Sequence, residues 1–343
     1  MGLIRLYLAL VVLFSHIGSV PWFPIFDSGT AVMIFFIFSG FYITMGLNER
    51  YKTPASNRTF YLGRFLRLWP TYAVSLAILV PIGVMAQQLQ WIAELPLVMR
   101  VLAYVANFSM FGIDLLVHVS ARHGQMVFSE FGIDPKHNGA NYILNMPAWS
   151  LSMEMLFYVA APFVARDFRR CLAFCAVGAI TQALFHFVVS PAFYKTFRYD
   201  LLYPYVMAYF GLGMLAYWIN AKRAVIHWEY FALGFAVAAF STGWHYAAIA
   251  AFVPYVFALT KNSRVDKLLG DLAFPVYVLQ LPVAAAVRAS GVEPTLLNYF
   301  LAVMGTSLLV LFVLERPIEM FRARLRRAKV RPMPAVASAA PAI

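Results

Sequence analysis

Apolar positions in this chain come in unbroken runs near twenty residues, separated by short polar stretches rather than interleaved with them. The runs fall at about 3–20, 28–47, 68–90, 148–165, 171–190, 200–219, 226–242, 244–260, 271–289 and 296–314. A helix of that length crosses the ~30 Å of a bilayer's hydrocarbon core. A surface helix of a soluble protein needs only one apolar stripe. The pattern predicts an all-α integral membrane protein with about ten transmembrane helices. One further apolar segment, 97–113, is ambiguous.

Charge decides that segment. With 97–113 not crossing and both termini cytoplasmic, 21 of the 27 Lys and Arg residues fall on the inner side. They comprise Arg5, the loop at 48–67, Arg166, Arg169 and Arg170, Lys222 and Arg223, the loop holding Lys261, Arg264 and Lys267, and the segment from 315 onward. If 97–113 crossed, every later loop would change sides. The positive-inside rule therefore favours ten spans, cytoplasmic N- and C-termini, and a long external region at 91–147 holding an interfacial or re-entrant helix. The same rule accounts for the formal charge of +12 without a nucleic-acid partner.

Composition narrows the class further. The chain is 62% hydrophobic and 12% charged, against about 25% charged in a typical soluble domain. Cys171 and Cys175 share one apolar run and form neither a disulfide framework nor a metal motif, so no metal site is expected. The N-terminal run lacks an A-x-A-like cleavage site and reads as a retained first span. The expected division is a transmembrane domain at 1–320 and a basic, then Pro/Ala-rich, cytoplasmic tail at 321–343.

Ionisable residues inside such runs are costly and point to function. Arg5 and His16 lie eleven residues apart on the first run. On a helix they share one face, about 16 Å apart along the axis. Arg5 suits an anion at the inner surface, and His16 is a deeper base; equally, Arg5 could anchor the helix and His16 pack. Ser39 and Gly40 in "FFIFSGFYI" permit close approach of a helix or a ligand. Arg64 and Arg67, one turn apart at the mouth of the third run, suit phosphate groups or simply obey the topology rule. Glu154, in "PAWSLSMEMLFY", is an intramembrane carboxylate that must be paired, protonated or functional, with Trp149 and Ser152 near its level. His118, His123 and His137, near Asp114, Glu130 and Asp134, lack zinc-helix spacing and read as solvated loop residues or an acceptor-binding surface. His186, His227 and His245 lie near run ends.

Taken in order, these segments resemble the acyltransferase 3 family of membrane-bound acyltransferases. The likeness is carried by R-x10-H (Arg5, His16), FFxxSGF (Phe35 to Phe41), RxxRxxPxY (Arg64 to Tyr72), WSLSxExxFY (Trp149 to Tyr158), "FPVYVLQ" at 274–280 and "ERPIE" at 315–319. The resemblance implies ten spans and transfer of an acyl group, commonly acetyl, from cytoplasmic acyl-CoA to an extracytoplasmic hydroxyl. It implies His16 as the catalytic histidine, as direct base or through an acyl-histidine, and Glu154 as an accessory group. It further implies Arg5, Arg64, Arg67, Ser39 and Gly40 at the acyl donor, with Trp149, Ser152, Tyr72 and Tyr277 in support. Acyl-CoA is then a co-substrate and no cofactor is permanently bound. The partners are the lipid bilayer and a carbohydrate acceptor, an exopolysaccharide or its lipid-linked precursor, at a bacterial inner membrane. Gln280 departs from the family, which commonly places a histidine there. Rival readings are acylation of a small hydrophobic acceptor such as a macrolide or lipid, and a non-enzymatic glycan transporter or flippase.

Overall fold

The computed structural model describes residues 1–18, 20, 23, 26–122, 125–128, 139–188, 198–220 and 243–328. The predicted run at 226–242, together with Lys222, Arg223, His227, His123, His137, Glu130, Asp134 and the chain from 329, lies outside the described residues.

The first two helices are α1 (Gly2–Ile17) and α2 (Ser28–Glu49). Asp27 sets the start of α2 by accepting from the Thr30 backbone N–H at 2.9 Å and the Thr30 hydroxyl at 2.6 Å. Next comes α3 (Asn57–Leu79), then α4 (Val84–Ala93), which leaves it at 96°. Gly83 makes that corner with φ +75°, a left-handed conformation that costs glycine little. The predicted run at 68–90 is therefore not one straight span. The helix starts eleven residues earlier, at Asn57, and breaks before its predicted end.

The ambiguous segment forms α5 (Leu97–Ser109), thirteen residues or about 20 Å, too short to cross alone. The one-turn α6 (Ile113–Leu116) and a hairpin of β1 (Val119–Arg122) and β2 (Gln125–Phe128) follow, so the region at 91–147 is not wholly helical. The remaining helices are α7 (Ala148–Val164), α8 (Phe168–Phe187), α9 (Tyr203–Asn220), α10 (Trp244–Thr260), α11 (Arg264–Ala289) and α12 (Leu296–Val310). A π-turn at Leu311–Glu315 joins α12 to α13 (Arg316–Ala328). The basic segment after 320 thus begins as helix, with Arg322 buried.

Among the described residues the chain is an all-α multi-pass membrane protein apart from that hairpin. Among the described residues, α2, α8, α11 and the continuous α12–α13 rod are long and apolar enough to cross unaided. The bent α3–α4 pair is a fifth candidate, while α1, α5, α7 and α10 are shorter apolar helices.

Two groups of helices build the bundle. In the first, α2 packs on α9, and α9 on α8 and α10; in the second, α11 packs on α1, α12 and α3. The α2–α9 contact is a glycine seam. A Cβ on Gly40 would stand 2.1 Å from the Phe210 carbonyl oxygen, and one on Gly213 1.9 Å from that of Ile37. Helices in lipid gain little from the hydrophobic effect against each other, so close backbone approach supplies the attraction. Between the two groups α1 touches both α2 and α11, and the space beside it stays open.

Candidate active site

That space is a cavity of about 610 Å³, walled by α1, α2, α3, α7 and α11. The helical period of α2 shows how it forms. Between residues 31 and 46 most of α2 is buried, whereas Phe35, Ser39, Tyr42 and Gly46 keep part of their surface. Their spacing of four, three and four residues draws one helix face, and all four line the cavity. Along α2 the lining runs from Arg50 to Val32, about 27 Å at 1.5 Å per residue.

The two ends differ in chemistry. Seven cationic side chains line the cavity against four carboxylates, and they gather towards the end formed by the start of α1, the loop at 261–263 and α13. At that end Asp266 of α11 fixes the start of α1. Its carboxylate accepts from the backbone N–H groups of Gly2 at 2.7 Å and Leu3 at 3.0 Å, holding Arg5 one turn further in. The opposite end is walled by Val32, Phe35, Ser150, Leu151, Ala273 and Tyr277, an apolar set with two hydroxyls.

Arg64 and Arg67 share a face of α3 but not an environment. Arg67 Nη1 donates to Glu315 Oε2 at 2.8 Å in a mostly buried ion pair, and its guanidinium lies 5.6 Å from the Phe274 ring centre. Thr71 donates to the other Glu315 oxygen. Glu315 closes the π-turn, a backbone form often found at functional sites. Arg64 makes no ion pair among the described residues. Its guanidinium lies 5.7 Å and 5.9 Å from the ring centres of Phe60 and Tyr158, and its buried Nε has no hydrogen-bond partner. Arg5 also faces the cavity without an ion pair among the described residues. Deeper in, Glu154 Oε1 accepts from Ser39 at 2.8 Å and Tyr158 at 2.5 Å.

Removing one partner of a buried ion pair strands the other charge, at a cost of about 3–5 kcal/mol. Arg67→Ala is therefore expected to lower the thermal stability of the purified protein by an amount on that scale. Arg64→Ala, which strands no carboxylate, should leave it nearly unchanged. Equal melting temperatures for both variants would contradict this division between an arginine held in an ion pair and one that is not.

The structure brings Arg5, Ser39, Arg64, Arg67, Glu154 and Tyr277 to one cavity. Four other predicted residues point elsewhere. Gly40 is buried in the α9 seam, and Trp149 packs edge-on against Phe36. Tyr72 donates to the Asn107 carbonyl at 2.7 Å. Ser152 donates to Asp114 Oδ1 at 2.6 Å and accepts from the Gly112 N–H at 3.1 Å, tying α6 to α7. Gln280 is fully buried, its Nε2 donating to the Tyr277 carbonyl at 2.8 Å. His118 is no solvated loop residue: it is buried, with Nδ1 2.7 Å from the Asp114 carbonyl and Nε2 2.9 Å from that of Arg198.

His16 lies outside the cavity lining, exposed at the far end of α1. Its Nδ1 is 2.7 Å from the Val12 carbonyl, which can only accept, so Nδ1 carries the hydrogen. In the neutral ring Nε2 then keeps its lone pair. On α1 the lining ends at Arg5, eleven residues or about 16 Å along the axis before His16.

A multi-pass helical membrane protein with an elongated cavity, basic at one end and apolar at the other, is the class these features define. The sequence model of the acyltransferase 3 family, described as an acyltransferase domain, matches residues 2–316, and the chain belongs to that family. It is also similar to nodulation protein 10 of Rhizobium leguminosarum bv. viciae, 25% identical over 243 residues. That alignment covers 64% of this chain and 60% of the relative's length. No solved structure matches the chain.

Proposed function

We propose that this protein moves an acyl group, acetyl in the first instance, from acyl-CoA on the cytoplasmic side to a hydroxyl of an extracytoplasmic glycan. The acceptor would be an exopolysaccharide or its lipid-linked precursor at a bacterial inner membrane. The observation that carries this reading is the pair of guanidiniums, Arg5 and Arg64, that make no ion pair among the described residues, in a cavity that becomes apolar away from them. Arginine forks match phosphate oxygens, so the basic end suits the phosphates of CoA and the apolar end its thioester. A glycan transporter has no need of this polarity.

In this reading His16 Nε2 takes the proton of the acceptor hydroxyl as that oxygen attacks the thioester carbonyl. The C–S bond of the resulting tetrahedral intermediate breaks, and the imidazolium returns its proton to the departing thiolate, leaving an ester and free CoA. Glu154, held by Ser39 and Tyr158, offsets part of the Arg5 charge inside the cavity.

Purified protein is expected to bind CoA saturably, more weakly as salt rises, and to release free thiol from acetyl-CoA when a glycan acceptor is added. Absence of CoA binding would refute the donor assignment, and binding without thiol release would favour the transporter.

Ten spans with the basic end inside are part of the same proposal. Glu293 and Ala55 are exposed at opposite ends of the bundle, and the native Cys171 and Cys175 are buried. Cysteine at Glu293 should react with an impermeant thiol reagent in intact cells once any outer membrane is opened. Cysteine at Ala55 should react only after lysis. The reverse pattern would overturn the orientation.

A further inference from the structure

Arg64 sits in an aromatic corner. Phe60, one turn earlier on α3, and Tyr158 of α7 place their ring centres 5.7 Å and 5.9 Å from its guanidinium carbon. The two rings stand edge to face at 79°, with centres 6.3 Å apart, and both side chains are buried. Tyr158 is also fastened at its far end. Its hydroxyl donates to Glu154 Oε1 at 2.5 Å, and the same oxygen accepts from Ser39 of α2 at 2.8 Å. Arg64 keeps part of its surface and lines the cavity. Arg67, on the same face of α3, is held differently: Glu315 offsets its charge and takes one of its N–H donors at 2.8 Å.

We infer that Tyr158 is a positioning residue for the acyl donor: with Phe60 it seats the Arg64 guanidinium beside the cavity without neutralising it, and Glu154 fixes the ring that does so. The inference rests on the proposed donor reading and deepens it. A cation taken out of water needs compensation. A carboxylate supplies it but occupies the same N–H fork that a phosphate would use. A ring face supplies it through the negative side of its quadrupole and leaves the donors at the edge of the guanidinium to a ligand. That attraction reaches about 6 Å from the ring centre, and both rings lie within it. It also depends on orientation, because a ring turned edge-on presents its positive rim. Tyr158 cannot turn without giving up its bond to Glu154, which would leave a buried hydroxyl unsatisfied. Ser39, Glu154 and Tyr158 thus form a chain of contacts from α2 through α7 that ends on Arg64 of α3.

Tyr158 is the position to change, because its ring and its hydroxyl can be removed separately. Tyr158→Phe keeps the ring face and gives up the bond to Glu154. Tyr158→Leu removes both.

The test measures CoA affinity, and KM and kcat for acetyl-CoA with one glycan acceptor, in purified full-length protein. Tyr158→Leu should weaken CoA binding by about three- to thirtyfold, the worth of a cation–ring contact shielded from water. The loss should appear in KM for acetyl-CoA and hardly in kcat, as expected for lost donor binding. Tyr158→Phe should recover most of the affinity. Added to Arg64→Ala, Tyr158→Leu should cost little more than Arg64→Ala does alone, because the two side chains act as one unit. If Tyr158→Leu does not yield folded protein, Tyr158→Met, closer in volume, makes the same comparison. Unchanged CoA affinity in the folded variant that lacks the ring would overturn the inference. So would losses that simply add in the double variant, or a Tyr158→Phe protein as weak as Tyr158→Leu. Wild type that bound no CoA would instead refute the donor reading, and the inference with it.

Discussion

His16→Gln is expected to lower acyl transfer by about 10²–10⁴-fold with expression and CoA binding at wild-type levels. The Val12 carbonyl holds the Nδ1 hydrogen at 2.7 Å, which leaves Nε2 as the one basic atom of the neutral ring. Glutamine can offer an N–H to the same carbonyl and occupies similar space, so the end of α1 keeps its shape. An amide cannot take up the acceptor proton, so the base is removed and little else changes. His16 is exposed, which makes a loss of activity through unfolding a poor rival explanation. A folded His16→Gln protein with near-normal turnover would remove His16 from the mechanism.

The second large effect belongs to Arg64. Arg64→Ala is expected to weaken CoA binding by about ten- to a hundredfold, the worth of one charge-assisted contact of about 1.5–3 kcal/mol. The loss should appear in KM for acyl-CoA, with kcat nearly preserved, because the side chain lies far from the apolar end. Arg64→Lys keeps a charge without the planar fork and should recover only part of the affinity. The salt dependence of CoA binding should also become shallower in Arg64→Ala, since one fewer cation meets the ligand. Unchanged CoA affinity in Arg64→Ala would return this arginine to topology alone.

Much of the cavity was legible because polar side chains inside apolar helices are costly unless they face a polar interior. Arg5 and Glu154 stood out on that ground, Arg64 and Arg67 as a cationic pair at the mouth of a run and Ser39 as a small residue, and the cavity gathers all five. The misplacements follow from helix geometry. Neighbouring residues turn about 100° around the axis. Gly40 therefore cannot share the face of Ser39, and Ser152, about 200° from Glu154, points to the opposite side. The same arithmetic would have nominated Ser150 and Tyr158, one turn on either side of Glu154, and both line the cavity.

Glu315 carried no periodic signal. It entered only through the ERPIE motif at 315–319, and its place opposite Arg67 depends on a π-turn that no 3.6-residue pattern announces. His118 misled for a related reason: its partners are backbone carbonyls of Asp114 and Arg198, and sequence does not display which carbonyls fold near which ring. The corner at Gly83 was hidden because apolar residues continue through it, so hydropathy alone joined α3 to α4.

Transfer across a sealed bilayer tests the central claim most directly. Purified protein reconstituted in one orientation in liposomes would be given labelled acetyl-CoA on the side of its basic end and a glycan acceptor on the other. The account predicts label on the glycan hydroxyls, free CoA on the donor side, and neither product with His16→Gln. Label that reaches the glycan only when both substrates share one side, or transfer that survives in His16→Gln, would contradict it.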